Sequence, residues 1–360
     1  MRLSTYNIEW FANLFDARDR LFLDGRRSGR HGISCAAQTE AIATVLRRVD
    51  ADAVVVIEAP NTGRRQSTLR ALAEFAEWAG LRSRAAVMGF SNETQQEIAL
   101  LYDPDVLRAA HAPVASSRVP AFDGCFSIDL DVDAQADSVR FSKPPMEIKV
   151  TPHSGTPFRL IGAHLKSKAP HGARSPEEAR ALSISNRRKQ LAQAIWLRAR
   201  MSEHLSAAEP LVVMGDLNDG PGLDEYEALF GRSSVEIILG AEMADPHARC
   251  LLRPNRQGLP TSARFYNQIE KRYFQALLDY AMISPDLAGC APRWRIWHPF
   301  EDAECYGDPD LRRALLEASD HFPVSLDLDL DLYPGRQSEP EGTSPGAQPD
   351  GAAVGSSGRP

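Results

Sequence analysis

The segment 212–219, VVMGDLND, carries the strongest local signal in this sequence. An apolar run ends at Gly215 and short polar side chains follow, a pattern typical of a strand whose end reaches solvent. Gly215 permits a close backbone approach or an unusual φ angle. Asp216 and Asn218 lie two positions apart, so both can point into one cleft. A turn would also use Gly, Asp and Asn, so this segment alone leaves a turn and a functional site open.

A second polar cluster, ASDHFPV at 318–324, precedes the last apolar run. Chemistry that moves protons near neutral pH needs an imidazole, and a carboxylate can orient that imidazole or hold a metal. Asp320 and His321 supply both groups. Capping by Ser319 or Asp320 and a packed histidine would explain the same residues, so the pair is weak evidence by itself.

A third segment, FRLIGAHLKSK at 158–168, ends a predicted strand with His164 and then two lysines, Lys166 and Lys168. An imidazole and ammonium groups that converge at a strand end suit an anionic oxygen. A single histidine at a strand end is more often structural.

Polar residues also interrupt the apolar runs at Asn7, Glu58 and Asp279. Buried polar side chains need partners. Together with the three segments described above, these residues make six polar positions at or near the ends of predicted strands. One shared site explains all six better than six unrelated causes.

Composition and charge exclude several classes of protein. The chain has 360 residues, of which 43% are hydrophobic and 25% charged, as expected for a soluble globular protein. No apolar run is long enough to span a membrane. A formal charge of −7 argues against non-specific coating of nucleic acid. Five cysteines at wide, irregular spacings, with no recognisable signal segment, predict reduced thiols in a cytoplasmic protein.

Apolar periodicity predicts many strands and fewer helices. Strands are predicted at 3–10, 53–58, 98–102, 126–132, 146–150, 158–164, 211–216, 277–283 and 322–332, and helices at 38–48, 68–78, 176–204 and 311–317. The mixed order favours two packed sheets flanked by helices over one parallel sheet. Alternation at 324–332 predicts a half-buried last strand near a sheet edge. We expect one catalytic domain at 1–332 and a disordered Pro/Gly/Ser-rich tail at 333–360.

These segments, in this order, resemble the endonuclease/exonuclease/phosphatase superfamily, which includes deoxyribonuclease I, AP endonucleases and neutral sphingomyelinases. The resemblance covers nearly all of 1–332, and the ordered set that carries it is highly specific. The set is Asn7, Glu58, His164, Asp216 with Asn218, Asp279, and Asp320 with His321. The resemblance implies a four-layer α/β/β/α sandwich, with two mixed β-sheets face to face, helices outside and the active site at one end.

The resemblance also implies a metal-dependent reaction. Glu58 would be the principal ligand of Mg²⁺ or Mn²⁺, with Asn7 and Asp320 close by, since Mg²⁺ prefers oxygen ligands. A water would attack the metal-bound phosphate in line, so the protein must activate that water and neutralise the transition state.

The resemblance assigns the proton transfers in two ways. In one, His321 takes the proton from water while Asp279 fixes its tautomer; in the other, Asp216 is the base and His321 binds the phosphate. The sequence leaves both open. Asn218 and Lys166 would contact phosphate oxygens, and His164 would stabilise negative charge or help protonate the leaving oxygen.

Differences between this sequence and the motifs of particular groups within the superfamily narrow the set of candidate substrates. Ile57 precedes Glu58 where AP endonucleases generally have Gln, which argues against abasic-site repair. Asp219-Gly220 follows Asn218 where inositol polyphosphate 5-phosphatases typically have Tyr-Arg, which argues against an inositol lipid substrate. The segment 164–168, HLKSK, is similar to that of bacterial nuclease-like and phosphodiesterase-like members. A nuclease or general phosphodiesterase is therefore favoured, with DNA and RNA among its candidate substrates and without an evident obligate protein partner. The alternatives are a phosphatase, a phospholipid phosphodiesterase, for which Trp10, Phe11 and Phe15 are the one modest hint, and a non-catalytic module of the same fold.

Two further groups are candidates for the site. Arg187 and Gln190 lie one helical turn apart after the lysine-bearing segment and could reach a phosphate. Asn92, Gln96 and Glu97 precede a predicted strand and could line the cleft. A solvated helix face and a polar loop are the simpler interpretations.

Overall fold

The computed structural model describes residues 1–92, 94, 96–129, 137–170, 172–220, 231–251, 259–267 and 271–333. The predicted tail, apart from Tyr333, lies outside these described residues, so its disorder stays a prediction. Short 3-10 helices occur at Phe11–Leu14, Pro285–Gly289 and Leu330–Leu332.

The strands, in chain order, are β1 (Arg2–Asn7), β2 (Ala53–Ala59), β3 (Ala85–Met88), β4 (Glu97–Tyr102), β5 (Leu107–His111), β6 (Phe126–Ile128), β7 (Asp137–Val139), β8 (Met146–Pro152), β9 (Phe158–His164), β10 (Leu211–Asp216), β11 (Ala263–Asn267), β12 (Arg272–Ala276), β13 (Asp279–Ile283), β14 (Arg293–Ile296) and β15 (Val324–Asp327). The helices are α1 (Cys35–Val49), α2 (Thr68–Ala79), α3 (Pro176–Ser206), α4 (Ser234–Leu239), α5 (Pro246–Leu251), α6 (Ala303–Gly307) and α7 (Pro309–Ala318).

Two large mixed sheets form the centre of the protein. The first has six strands in the order β14-β15-β1-β2-β4-β3, and the second has five in the order β13-β10-β9-β8-β5. In the first sheet β1 and β2 run parallel, and in the second β9 and β10 do. Their other neighbours run antiparallel. The predicted fold class, two mixed sheets with helices outside, is confirmed.

The two parallel pairs explain why the polar residues gather at one end. Parallel strands end at the same edge of a sheet, so β1 and β2 deliver Asn7 and Glu58 together. By the same rule, β9 and β10 deliver His164 and Asp216, which are paired in register. The antiparallel strand β13 begins at this edge, where Asp279 lies opposite Asp216.

Side chains alternate along β2 and divide the core into layers. Ala53, Val55 and Ile57 face the second sheet, and their cluster continues through both faces of that sheet to Trp196 and Leu197 of α3. Val54 and Val56 face the other way, into a cluster with α1, α2 and α7. This division between two layers is what a period of two requires when both faces of a strand are covered.

The last strand is shorter than its prediction. It ends at Asp327, because the Asp329 side chain accepts a hydrogen bond from Asp331 N at 3.2 Å and starts a 3-10 turn. It pairs with β1 and with the edge strand β14, which agrees with the predicted position near a sheet edge. The four residues of β14 are too few for sequence periodicity to detect.

The predicted ends of two other elements also differ from the observed ends. Helix α1 begins at Cys35, three residues before the predicted start, because the Ser34 side chain accepts a hydrogen bond from Ala37 N at 3.2 Å. Strand β6 ends at Ile128, and residues 130–136 lie outside the described part of the chain. Among the described helices, none combines the length and the apolar character needed to cross a bilayer.

Candidate active site

A cavity of about 480 Å³ opens at the edge where the parallel strands end. Eight predicted site residues line it: Asn7, Glu58, His164, Lys166, Asp216, Asn218, Asp320 and His321. Asp279 lies behind this lining, against His321. The structure therefore brings the whole predicted set together, although the role of each residue stays a prediction.

A hydrogen bond joins the two sheets at the floor of the site. Asn7 shares the face of β1 that carries Leu3, which points toward the second sheet. Its Nδ2 donates to Asp216 Oδ2 at 3.0 Å. Asn218, with φ of 51°, folds back so that its backbone N donates to Asp216 Oδ1 at 2.8 Å. Asp216 thus accepts hydrogen bonds from both sides and is fixed in one orientation.

Glu58 reaches the cavity through an irregularity of β2. The register against β4 shifts between Ile57 and Ala59, and Glu58 has φ of 61°. This is a β-bulge, which re-aims a side chain that regular alternation would send toward the helices. The Glu58 carboxylate accepts a hydrogen bond from Gln96 Nε2 at 2.7 Å and lies 3.6 Å from Lys143 Nζ.

His321 is held by a buried carboxylate. Its Nδ1 lies 2.8 Å from Asp279 Oδ2, and its Nε2 lies 3.9 Å from Asp216 Oδ2. Ser262 Oγ also donates to Asp279 Oδ2, at 2.8 Å, and accepts from the backbone N of Asp279 and of Leu278. The imidazole therefore lies between two carboxylates, an environment that favours its charged form.

His164 is fixed by a cation that sequence reasoning missed. Lys143 Nζ lies 3.2 Å from His164 Nδ1. An ammonium group only donates, so Nδ1 accepts and the hydrogen of the neutral ring lies on Nε2, which is 3.6 Å from Asp216 Oδ2. The signal that could have found Lys143 is Ser142-Lys143-Pro144-Pro145, a polar pair immediately before β8.

Burial and neighbouring charges shift the pKa values of these groups in different directions. Burial raises the pKa of Asp216 to about 7, with a further increase from Asp279, against the opposing effects of His321, Asn218 and Asn7. Burial and the charges of Lys143, His321 and Lys166 lower the pKa of His164 well below its ordinary value. For His321, burial acts downward, but Asp279 and Asp216 raise its pKa well above the ordinary value.

The donor atoms fit a divalent cation that prefers oxygen. Asn7 Oδ1 is buried and has no hydrogen-bond partner among the described residues, and the Glu58 and Asp320 carboxylates line the same cavity. Oxygen ligands of this kind suit Mg²⁺ or Mn²⁺. Asp216, Asp279 and His321 also cluster, with ligand atoms within 4.8 Å of one another. We favour the Glu58 side as the metal site, because its donors are all oxygen atoms, whereas His321 Nδ1 is already within hydrogen-bond distance of Asp279 Oδ2.

Gln190 positions two loops of the site from helix α3. Its Nε2 donates to three backbone carbonyls: Lys166 O at 2.9 Å, Leu217 O at 3.3 Å and Asn218 O at 2.9 Å. It therefore ties the loop after β9 to the loop after β10, which is a supporting role and not the predicted phosphate contact. Arg187, one turn earlier, does not line the cavity.

Some of the remaining candidate site residues line the cavity, and the others lie behind it or in the core. Gln96 lines the cavity, whereas Glu97 is buried behind it and accepts a hydrogen bond from Asn92 Nδ2 at 2.7 Å. Phe11 and Phe15 belong to the core. Trp10 is exposed and lines the cavity beside Glu9.

An aromatic hairpin stands beside the cavity. It is formed by β11 and β12, and Ala263 at its base pairs with His321, while Arg264 N donates to Asp320 O at 2.7 Å. The Arg264 guanidinium lies 3.4 Å from the centre of an aromatic ring of β12. The exposed aromatic side chains of the hairpin are Tyr266 (44%), Tyr273 (54%) and Phe274 (52%).

Solved structures with similarity to this chain have low sequence identity. Truncated TDP2 from Caenorhabditis elegans is 13% identical, with a TM-score of 0.48, over 90% of this chain and 96% of that one. The 3′ phosphatase NExo from Neisseria, bound to a product DNA hairpin, is 17% identical, with a TM-score of 0.49, over 91% and 99%. A mannosyl-6-phosphatase from Bacteroides thetaiotaomicron is 17% identical, with a TM-score of 0.46, over 91% and 99%. Similarities this weak do not identify a substrate.

No curated protein matches the sequence. The family described as Endonuclease/Exonuclease/phosphatase matches residues 4–321, which include every predicted site residue. Its members are phosphoester hydrolases that generally depend on a divalent metal. The chain belongs to the endonuclease/exonuclease/phosphatase family and is a phosphoester hydrolase.

Proposed function

We propose that this protein is a divalent-metal-dependent phosphodiesterase that acts on DNA or RNA. The observation that carries the proposal is the joining of the two sheets at one cavity, where the Asn7 amide contacts Asp216 and the Glu58 carboxylate faces the same space. Catalysis of phosphoryl transfer depends mainly on positioning and electrostatic stabilisation, and this cavity supplies fixed groups of both charges.

Glu58, Asn7 and Asp320 would hold the metal. A bound Mg²⁺ or Mn²⁺ supplies a Lewis acid that neutralises charge on the phosphate. Gln96 orients the Glu58 carboxylate from the side of β4. Lys143, 3.6 Å from the same carboxylate, adds a positive charge to the wall of the cavity.

The geometry favours Asp216 over His321 as the group that takes the proton from water. His321 lies between the carboxylates of Asp279 and Asp216, an arrangement that keeps the imidazole protonated and suits it to bind a phosphate oxygen. Asp216 is fixed by Asn7 and Asn218 and needs no rearrangement to meet a water in the cavity. The oxygen of that water bonds to phosphorus as the bond to the leaving oxygen breaks.

His164, Asn218 and Lys166 would stabilise the charge that develops on the phosphate oxygens. The neutral His164 ring, with its hydrogen on Nε2, can donate a hydrogen bond without giving up the proton. Lys166 lines the cavity as a partly exposed cation.

The aromatic hairpin supports a substrate that extends beyond the phosphate. Tyr266 lies three residues from Ala263, so about 10 Å of strand separates its ring from the His321 segment. Exposed aromatic rings with an adjacent arginine are suited to stacking with unpaired bases. The same hairpin would also suit a lipid surface, and a phospholipid phosphodiesterase is therefore the second candidate.

We also propose that residues 1–332 form one catalytic domain that works in the cytoplasm. All five cysteines are free thiols, which supports a reducing compartment.

The test is a hydrolysis assay with Mg²⁺, Mn²⁺ or EDTA. The substrates are single-stranded DNA, duplex DNA, RNA, bis-p-nitrophenyl phosphate, p-nitrophenyl phosphate and phospholipid vesicles. Wild type is compared with Glu58→Gln and with Glu40→Gln, a control that changes an exposed carboxylate of α1. We expect metal-dependent cleavage of nucleic acid and of the small diester, lost in Glu58→Gln only. Calorimetry should show that Glu58→Gln also loses Mg²⁺ binding.

Other outcomes would change the assignment. Turnover of the monoester alone would make the protein a phosphatase. Turnover of vesicles but not of nucleic acid would support the lipid substrate. Replacing Tyr266 and Tyr273 with Ser should raise KM for single-stranded DNA about tenfold and leave the small diester unaffected.

A further inference from the structure

A second cavity, of about 360 Å³, adjoins the active-site cavity and shares Ser142 and Lys166 with it. Because two residues belong to both walls, the two cavities are neighbours at the same edge of the protein. The other residues that line the second cavity are Ser138, Val139, Arg140, Lys189 and Gln193.

The second cavity is cationic. Lys166, Lys189 and Arg140 line it, and among the residues that the structure describes no carboxylate does. Within the described part of the chain, no acidic side chain forms an ion pair with any of these three cations. Burial lowers the pKa of Lys166, and the charge of Lys189 lowers it further. Like charges held together without a counter-ion repel, and a bound anion would remove that repulsion.

Separate elements hold the lining in place. Arg140 directly follows β7, and Lys189 and Gln193 lie one helical turn apart on α3. Gln193 is buried, and its Oε1 accepts a hydrogen bond from Lys166 N at 2.9 Å. The loop that carries Lys166 is thereby fixed between the two cavities, so the second cavity exists before any ligand binds.

We propose that this second cavity is a subsite for a second phosphate group of the same substrate, next to the phosphate that is hydrolysed. The proposal rests on the proposed function, because it takes the first cavity as the site of hydrolysis. Two ammonium groups and a guanidinium suit a phosphate. The subsite therefore selects a substrate with consecutive phosphates, such as a nucleic acid strand, over one with a single phosphate.

Calorimetry with two nucleotides in Mg²⁺ buffer tests the subsite without requiring turnover. Thymidine 3′,5′-bisphosphate has two phosphates separated by one nucleoside, as in a strand, and thymidine 5′-monophosphate has one. Wild type should bind the bisphosphate at least about tenfold more tightly, the effect of one charge-assisted hydrogen bond. Lys189→Ala and Arg140→Ala should lose most of this advantage.

Lys149→Ala is the matched control, since Lys149 is exposed on β8 and lines neither cavity. It should keep the wild-type preference, which separates a local contact from the loss of one positive charge. The advantage of the bisphosphate should also weaken with salt in wild type more steeply than in Lys189→Ala.

Equal binding of the two nucleotides by wild type would overturn the subsite, as would an advantage retained in both Lys189→Ala and Arg140→Ala. A parallel assay with bis-p-nitrophenyl phosphate reports on the proposed function alone, because this diester has only one phosphate. Failure of that assay with an intact bisphosphate preference would refute hydrolysis at the first cavity and keep the anion subsite.

Discussion

Lys143 Nζ lies 3.2 Å from His164 Nδ1 and fixes the proton of the neutral imidazole on Nε2. The same ammonium group lies 3.6 Å from Glu58 Oε1. One cation therefore contacts both the carboxylate proposed to bind metal and the imidazole proposed to face the phosphate. This relationship links β2, β9 and the segment before β8.

Replacing Lys143 should reduce catalysis more than stability. Lys143→Met keeps an unbranched side chain, one atom shorter, but removes the donor to His164 and the charge beside Glu58. We expect kcat for bis-p-nitrophenyl phosphate to fall about 100-fold, a typical effect of losing one fixed electrostatic contact. Lys149→Met should leave kcat within about twofold. An unchanged kcat in Lys143→Met would show that the contact does not serve catalysis.

Asp279 and Ser262 should differ in their effects on activity. Asp279→Asn removes the charge that favours the protonated form of His321, and we expect kcat to fall on the order of 10²- to 10⁴-fold. Ser262→Ala keeps that charge but leaves a buried carboxylate and two backbone N–H groups without their partner. It should lower the free energy of unfolding by about 1–3 kcal/mol with a smaller loss of kcat. Steady-state kinetics and urea unfolding separate the two effects, and equal kcat losses would contradict this division.

Gly215→Ala should severely destabilise the protein. A Cβ at this position would lie 1.9 Å from Ala163 O on the neighbouring strand, and Gly215 has φ of +141°. Neither β9 nor β10 can move apart without breaking their pairing. We expect a loss of about 3 kcal/mol or more, measured as a lower Tm or as failure to fold. Gly25→Ala, where a Cβ meets nothing within 4 Å, is the control. Equal Tm values for the two variants would contradict the steric argument.

Gln190→Ala should weaken the positioning of two loops of the candidate site, although Gln190 itself does not line the cavity. Its amide holds the loops that carry Lys166 and Asn218 without lining the cavity. The variant leaves backbone carbonyls unpartnered, so the free energy of unfolding should fall by about 1–3 kcal/mol. Because both loops contact the proposed phosphate position, kcat/KM should fall about tenfold. Gln190→Glu, which keeps the shape but removes the donor, should reproduce the kinetic loss; wild-type kinetics in both variants would exclude the positioning role.

Asp302 should contribute stability that is lost in acid. Its carboxylate receives two hydrogen bonds from Arg295, at 2.9 and 2.8 Å, and caps α6. Burial alone raises its pKa, but Arg295 and Cys305 N lower it below the ordinary value. A depressed pKa gives stability that is present above the unfolded value of about 3.9 and lost as pH falls through the folded value.

Asp302→Asn keeps the cap and removes the charge. At pH 7 we expect it to be about 0.5–1 kcal/mol less stable than wild type, since the pair is partly screened by solvent. Urea unfolding should show that this difference is constant above about pH 5, begins to shrink near pH 4 and disappears only once the pH is below the folded pKa of Asp302. A difference that does not shrink as the pH falls from 5 to 3 would show that the charge of Asp302 is not the cause.

The sequence by itself predicted most of the residues that the structure brings together at the candidate site, although not Lys143, and roughly where the long elements run. Asn7, Glu58, His164, Asp216, Asp279 and His321 were recognised because each interrupts or ends an apolar run, and burial of a polar group in such a run needs a reason. The family match covers residues 4–321, which include all six of these residues. Helices α2 and α3 and the central strands were predicted because their periodicity is long enough to see.

Only the tertiary structure decided how those residues meet. The bulge that turns Glu58 into the cavity, the Asn7–Asp216 bond between the sheets, and the approach of Lys143 to His164 all depend on the packing of segments that are distant in the chain. Strands β3, β14 and the β11–β12 hairpin are short, and neighbouring strands stabilise them more than their own sequences do. Local periodicity reports which side chains are buried, whereas the partner of each buried polar group is set by the whole fold.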